Sequence, residues 1–240
     1  MPFEKSNKSK TNVILVNQMG YYLSPNNVEK SNVNIELSYD DEFKEKDKLI
    51  KKKLSKTNKG LILLHGEKGT GKTYYIRHLT KHINKQFIFI PNYLRRSISE
   101  TNFITFLINN CKNSIIVIED AEDIIKSRES LNSNSSCNGI SDLLNMTDGL
   151  LSDVLQIQFI CTFNTNLKNI DSALLREGRL IEEHCFDKLN YEKSLKLAES
   201  LGKNLQEKRE YALSEIYNYK NDKKENKLNT TKQIGFSYNN

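Results

Sequence analysis

The chain has 240 residues, a formal net charge of +6 and a sequence pI of about 8.9. That length can bury a proper core, fits one domain with a small appendage, and the mild basicity permits contact with nucleic acid without requiring it. Cys111, Cys137, Cys161 and Cys185 are widely spaced with no C-x-x-C pair, MPFEKSNKSK lacks the apolar core of a signal peptide, and no run is long enough to span a bilayer, so a cytoplasmic protein with reduced cysteines and no membrane partner is expected.

Residues 1–11 are polar and lysine-rich, a composition expected to be disordered. Asn12 to Val16 reads as a short strand and Gln18 to Asn27, with Gly20 and Pro25, as a loop. Val33 to Leu37 alternates apolar and polar side chains and reads as a half-buried strand. A helix is expected from Phe43 to Leu54, with Asp40 or Asp41 as its N-cap. Asn58-Lys59-Gly60 turns the chain into Leu61-Ile62-Leu63-Leu64, an apolar run of the kind buried on both faces of a parallel sheet.

His65 ends that run, and Gly66-Glu67-Lys68-Gly69-Thr70-Gly71-Lys72-Thr73 follows, a complete G-x-x-x-x-G-K-T phosphate loop. Gly66, Gly69 and Gly71 let the backbone curl until successive N–H groups form an anion nest, and the helix opening near Lys72 adds the positive end of its dipole. Lys72 is placed for the β- and γ-phosphates and the Thr73 hydroxyl for Mg²⁺, with Tyr74 next along the helix. The chemistry implied is nucleoside triphosphate binding.

Beyond the loop, Thr73 to Asn84 carries Tyr75, Ile76, Leu79 and Ile83 at helical spacing. Phe87 to Ile90 reads as a strand stopped by Pro91, and Phe103 to Leu107 as part of a helix. Ser114 to Asp120 is an apolar strand ending in Glu119 and Asp120, placed to hold the Mg²⁺ water shell and to orient an attacking water. Ser127 to Gly139 is a polar low-complexity loop, Ile140 to Leu151 looks helical, Gln156 to Phe163 is a fourth strand followed by Asn164, and Leu180 to Phe186 supplies a fifth. Strands alternating with helices predict an α/β fold, a doubly wound parallel five-stranded sheet. From Asp187 on, the pattern is helical and charged, with helices expected at Tyr191–Leu201 and Tyr211–Tyr217, a charge run from Asn218 to Lys232 and an apolar Ile234-Gly235-Phe236.

GEKGTGKT, IIVIEDAED, LLNMTDGLL, FICTFN and IDSALLREGRL fall in the order and spacing of the AAA+ ATPases, and the chain resembles their AAA branch over roughly residues 36–215. The resemblance implies an N-terminal extension over 1–35, an ATPase core over 36–187 and a reduced helical lid with tail over 188–240. It implies ATP and Mg²⁺ as ligands and a homo-oligomeric ring acting on a protein. By position, Arg176 and Arg179 match the two arginines that reach a neighbouring subunit's γ-phosphate, and Asn164 matches the polar sensor beside the carboxylates. Ala212 to Ile216 looks like the lid motif that lines the adenine pocket, and the base is otherwise expected near Tyr39 to Glu42.

Three departures stand out. Glu119-Asp120 reverses the family's usual Asp-Glu order, similar to the mitochondrial AAA chaperone of respiratory complex III. By position Glu119 serves the metal shell and Asp120 polarises water, with Glu122 or Asp123 as substitutes. The first pore loop should lie in PNYLRRSISET, where Tyr93-Leu94 is followed by Arg95-Arg96 instead of glycine, leaving Arg95 and Arg96 for phosphates or an acidic partner. No lid arginine is evident beyond the weak Lys208 and Arg209. A nucleic-acid-associated ATPase and a slowly hydrolysing assembly switch therefore stay open beside the ring remodeller.

Overall fold

The computed structural model describes residues 11–28, 33–122, 146–147, 149–164, 175–176 and 178–221. Its strands are β1 (Thr11–Asn17), β2 (Gly20–Pro25), β3 (Gly60–His65), β4 (Phe87–Ile90), β5 (Ile115–Ile118), β6 (Gln158–Phe163) and β7 (Leu180–Cys185). Among the described residues the helices are α1 (Ile35–Ser38), α2 (Phe43–Lys56), α3 (Lys72–His82), α4 (Thr101–Asn110), α5 (Gly149–Leu155), α6 (Tyr191–Ser200) and α7 (Leu213–Asn218), with a 3-10 helix over Asn92–Ser99.

One seven-stranded sheet runs β2-β1-β4-β5-β6-β3-β7, parallel throughout except for the antiparallel β1–β2 pair. The five expected strands are its β4-β5-β6-β3-β7 part. Alternate residues serve opposite faces, as the two-residue period of a strand requires. Leu61 and Leu63 of β3 pack with Phe103 and Leu107 of α4, while Ile62 and Leu64 pack with α2 (Phe43, Ile50, Leu54) and α3 (Tyr75, Ile76, Leu79). The phosphate-loop strand is buried along its whole length because helices cover both faces.

Two expectations are corrected. The segment Gln18 to Asn27 is not a loop: Gln18 and Met19 form a two-residue turn, Gly20 takes φ +112°, and β2 pairs along all of β1 from Asn17↔Gly20 to Asn12↔Pro25. Its Gly and Pro obscured the strand, and Pro25 is tolerated because β2 is an edge. Val33 to Leu37 is not a strand either. The Asn34 side chain accepts hydrogen bonds from the Glu36 and Leu37 N–H groups (3.0 and 3.3 Å) and caps the single turn α1; over five residues, alternation cannot tell a strand from one helical turn.

Elsewhere differences are local. The N-cap position of α2 is Glu42, which makes no side-chain cap bond, rather than Asp40 or Asp41; Asp40 Oδ1 accepts from Phe43 N at 2.8 Å just ahead of it, and α2 runs on to Lys56. α5 ends where Gln156 adopts φ +52°. The low-complexity loop, most of the helix expected from Ile140, Asp123, Cys137 and the C-terminal run after Asn221 lie outside the described residues. Cys111, Cys161 and Cys185 are free thiols, and burial pushes the first two up to about 12. Among the described residues no helix is long and apolar enough to cross a membrane.

Candidate nucleotide site

β3 delivers the phosphate loop at the C-terminal edge of the sheet, where β5 and β6 also end. Gly66, Gly69 and Gly71 have φ of +128°, +83° and +106°. A Cβ on Gly69 would lie 2.2 Å from Ser214 Oγ, and one on Gly71 2.5 Å from Leu213 Cδ1. The glycines thus serve two needs, the left-handed curl of the loop and the close approach of α7. Ser214 N donates to Gly69 O at 2.9 Å, and Leu189 and Tyr211 exchange backbone hydrogen bonds that tie the lid to the end of β7. Tyr39, buried at 3% exposure, donates its hydroxyl to Gly71 O at 3.0 Å.

A cavity of about 450 Å³ opens over this loop, lined in part by Gly69, Lys72, Thr73, Asp120 and Asn164. Lys68, Gly71 and Tyr74 complete its loop side, Thr162 lies beside Asn164, and Leu213, Ser214, Tyr217 and Asn218 form the lid side. Lys72 Nζ donates to Gly66 O and Glu67 O, both at 2.7 Å. Burial lowers its pKa, while Asp120 and Glu122 pull it back up. Thr70 Oγ1 bonds Glu67 O at 2.8 Å and Lys188 pairs with Glu67 at 2.8 Å, so Glu67 and Thr70 act on the loop's own shape.

Thr73 Oγ1 donates to Glu119 Oε1 at 2.6 Å. Two hard oxygens side by side suit Mg²⁺, which takes one or two protein ligands and fills its octahedron with water and phosphate oxygens. Asn164 Nδ2 donates to Asp120 Oδ1 at 2.9 Å and to Glu122 Oε1 at 3.0 Å, and Asn164 N donates to Glu122 Oε1 at 2.6 Å. Glu122, a candidate substitute for Asp120 on sequence grounds, shares the Asn164 amide with it. Tyr74 stacks on Tyr217 with ring centroids 5.9 Å apart and planes at 14°, leaving an aromatic pair at the cavity rim.

Arg176 and Arg179 stand apart from this group. Arg179 O accepts from Leu61 N at 2.9 Å, which fixes it at the start of β3, and Arg179 N bonds Arg176 O at 3.3 Å. Five residue steps lead from Leu61 to Gly66, about 16 Å at strand rise, so these arginines lie at the opposite end of β3 from the loop.

In the segment expected as a pore loop, Tyr93 is 63% exposed but Leu94 is 4% exposed and packs in the core. Arg95 does not reach outward to an external acid; its guanidinium donates to the Asp120 carbonyl. That contact and Thr162 were not legible as site features, although both lie in segments the sequence singles out, because the motif there points to other residues; the lid residues Tyr217 and Asn218 carry no motif at all.

The model of the family described as "ATPase family associated with various cellular activities (AAA)" matches residues 62–188. The AAA-ATPase At3g28600 of Arabidopsis thaliana is 31% identical over 146 residues, 54% of this chain, and the match spans 30% of that relative's length. Among solved structures, a chain in the E. coli MS115-1 HORMA:CdnC:Trip13 complex shares the fold with a TM-score of 0.54 at 17% identity, over 68% of each chain. With the phosphate loop, carboxylate turn and sheet order all in place over the matched span, this chain belongs to the AAA family of ATPases.

Proposed function

We propose that the chain binds ATP with Mg²⁺ and hydrolyses it in the cytoplasm, as a subunit of a homo-oligomeric ring that acts on a protein partner. The observation that carries this reading is the convergence of Lys72, Thr73, Asp120 and Asn164 on one cavity, with Glu119 bonded to Thr73. The loop N–H groups and Lys72 take the β- and γ-phosphates, in competition with the Gly66 and Glu67 carbonyls for the same ammonium. Thr73 and Glu119 would hold Mg²⁺, which when bound neutralises phosphate charge. Asp120 orients a water toward the γ-phosphorus and accepts its proton, while Asn164 fixes the Asp120 carboxylate. The Tyr74–Tyr217 pair flanks the base.

The ring reading is supported by where the arginines sit. A transition state that spreads charge over the γ-phosphoryl oxygens calls for a guanidinium, and Arg176 and Arg179 are about 16 Å from their own loop, beyond a side chain's reach. They complete a neighbour's site instead. A protein partner is favoured over nucleic acid because Arg95 is spent on Asp120, and because the structural neighbour sits in a complex with other proteins. A slow assembly switch is the second reading, favoured by the short Asp120 side chain; its mark is tight ATP binding with little turnover.

The test is complementation. Arg176→Ala keeps an intact loop and carboxylates, and Asp120→Asn keeps intact arginines. Each alone should be inactive in phosphate release, and mixing them should restore activity at interfaces that pair the good loop with the good arginines. Mixed oligomers that stay inactive overturn the trans role and the ring mechanism with it.

A further inference from the structure

We propose that Arg95 is a positioning residue for hydrolysis, holding the Asp120 peptide in a left-handed conformation that aims the short carboxylate into the cavity. The inference rests on the ATPase reading above. Asp120 has φ +50°, one of three non-glycine residues with positive φ among those described. Left-handed backbone costs energy for any residue with a Cβ, so surrounding contacts must hold it.

Those contacts are visible on both sides of the residue. The Asp120 N–H donates to Thr162 Oγ1 at 3.1 Å, and the next N–H, on Ala121, donates to Thr162 O at 2.8 Å. The Asp120 carbonyl accepts from Arg95, and its carboxylate accepts from Asn164. Thr162 is near the end of β6 and Asn164 just past it, directly beside the turn. Arg95 comes from the 3-10 helix over Asn92–Ser99, whose Leu94 and Ile98 are anchored in the core. A charged donor on a carbonyl makes a strong bond, and it holds the Asp120 carbonyl from a third element, beside the Thr73 bond to Glu119 and the contacts from the β6 end.

The consequence is mechanical. Tyr93 and Arg96 point into solvent from the same short helix whose Arg95 grips the catalytic turn. A polypeptide that engages Tyr93 and displaces this helix moves the Arg95 guanidinium, and with it the direction of Asp120. The route runs two residues along the chain, from Tyr93 to Arg95, and through one hydrogen bond, and it requires none of the glycine-containing grip that PNYLRRSISET lacks.

The experiment uses the full chain and the variants Arg95→Ala and Arg95→Lys. Affinity for a fluorescent ATP analogue, kcat and KM are measured with and without added guanidinium chloride at millimolar concentration. The expected result is analogue affinity within about twofold of wild type, and kcat for Arg95→Ala lowered on the order of 10- to 100-fold, the scale of a misplaced catalytic group. Guanidinium should restore part of that rate and leave wild type unchanged, and Arg95→Lys should fall between, since an ammonium donates to a carbonyl without the planar fork. An unchanged kcat, a loss of affinity in step with kcat, or a loss that guanidinium does not rescue overturns the inference. If wild type itself shows no turnover, the ATPase reading has failed, and amide resonances then decide the positioning claim. Shifts that, apart from residues flanking position 95, are confined to residues 119–122 and 162 in Arg95→Ala support it, and unmoved Asp120 and Ala121 resonances overturn it.

Discussion

Gly66→Ala should destabilise the protein far more than an alanine at another glycine of positive φ, and the structure supplies its own control. Gly66 sits at φ +128°, and a Cβ there would lie 2.2 Å from Phe186 O and 3.0 Å from Phe186 N and C. The obstruction is backbone, and it cannot swing aside. Phe186 N donates to His65 O at 2.7 Å, and the Phe186 ring is 1% exposed among Tyr39, Phe43, Tyr75 and His184, with centroids 4.5–5.8 Å away. Gly202 also has positive φ, +67°, but nothing lies within 4 Å of its Cβ position. The left-handed backbone costs about 1–2 kcal/mol for alanine, and forced overpacking a further 1–3. Gly66→Ala should therefore lose about 2–5 kcal/mol and Gly202→Ala about 1–2, against a total of roughly 5–15. At about 2–4 °C per kcal/mol for a chain of this size, the first should melt about 4–20 °C below wild type. Thermal unfolding of both variants by circular dichroism is the assay. Melting of Gly66→Ala within about 2 °C of Gly202→Ala would refute the close approach of β7 to the loop.

Lys72→Ala should remove most of the affinity for an ATP analogue, because Lys72 is the side-chain cation at the head of α3 facing the cavity; unchanged affinity would sink the phosphate-loop assignment. Asp120→Asn should bind ATP normally and stall hydrolysis, whereas Glu122→Gln keeps an oxygen for the Asn164 N–H groups and should be milder; the opposite ranking would make Glu122 the base. Burial, with Lys46 beside it, holds the His184 pKa down to about 4, below its unfolded value near 6.5. Below about pH 6.5 the unfolded chain therefore binds the extra proton, and stability present at pH 7 is lost as pH falls toward 4. The melting temperature should drop between pH 7 and 5, and His184→Asn should flatten that slope.

What the sequence made legible is what lies in short contiguous runs. The phosphate loop needs glycines at fixed offsets between a buried strand and a helix, and each of those signals is local. The strands β3, β4, β5 and β6 announce themselves as apolar runs because both faces are covered. β2 was hidden because an edge strand tolerates Gly20, Ser24 and Pro25, and its one clear cue was the two-residue turn Gln18-Met19 before a glycine. The cavity's lid wall was readable at Ala212 to Ile216 only by resemblance, and Tyr217 and Asn218 just beyond carry no motif. Along the chain Arg95 reads as a charge left for phosphates or an acidic partner, since nothing there records that a residue 25 positions later would need its carbonyl held.

The reversed Glu119-Asp120 pair has a physical reason in the same turn. Adjacent residues in a strand point to opposite faces, so two consecutive carboxylates cannot both serve one site while the strand continues. Here β5 stops at Ile118, Glu119 reaches Thr73, and the backbone bends left-handed at Asp120 so that its carboxylate meets Asn164. Aspartate and asparagine occupy left-handed backbone several-fold more readily than other non-glycine residues, because a short polar side chain can bond locally. A glutamate at 120 would gain one methylene of reach but sit less easily at φ +50°. The longer carboxylate stands at 119, where the span to the Thr73 hydroxyl needs length, and the shorter one at 120, where the backbone does the aiming.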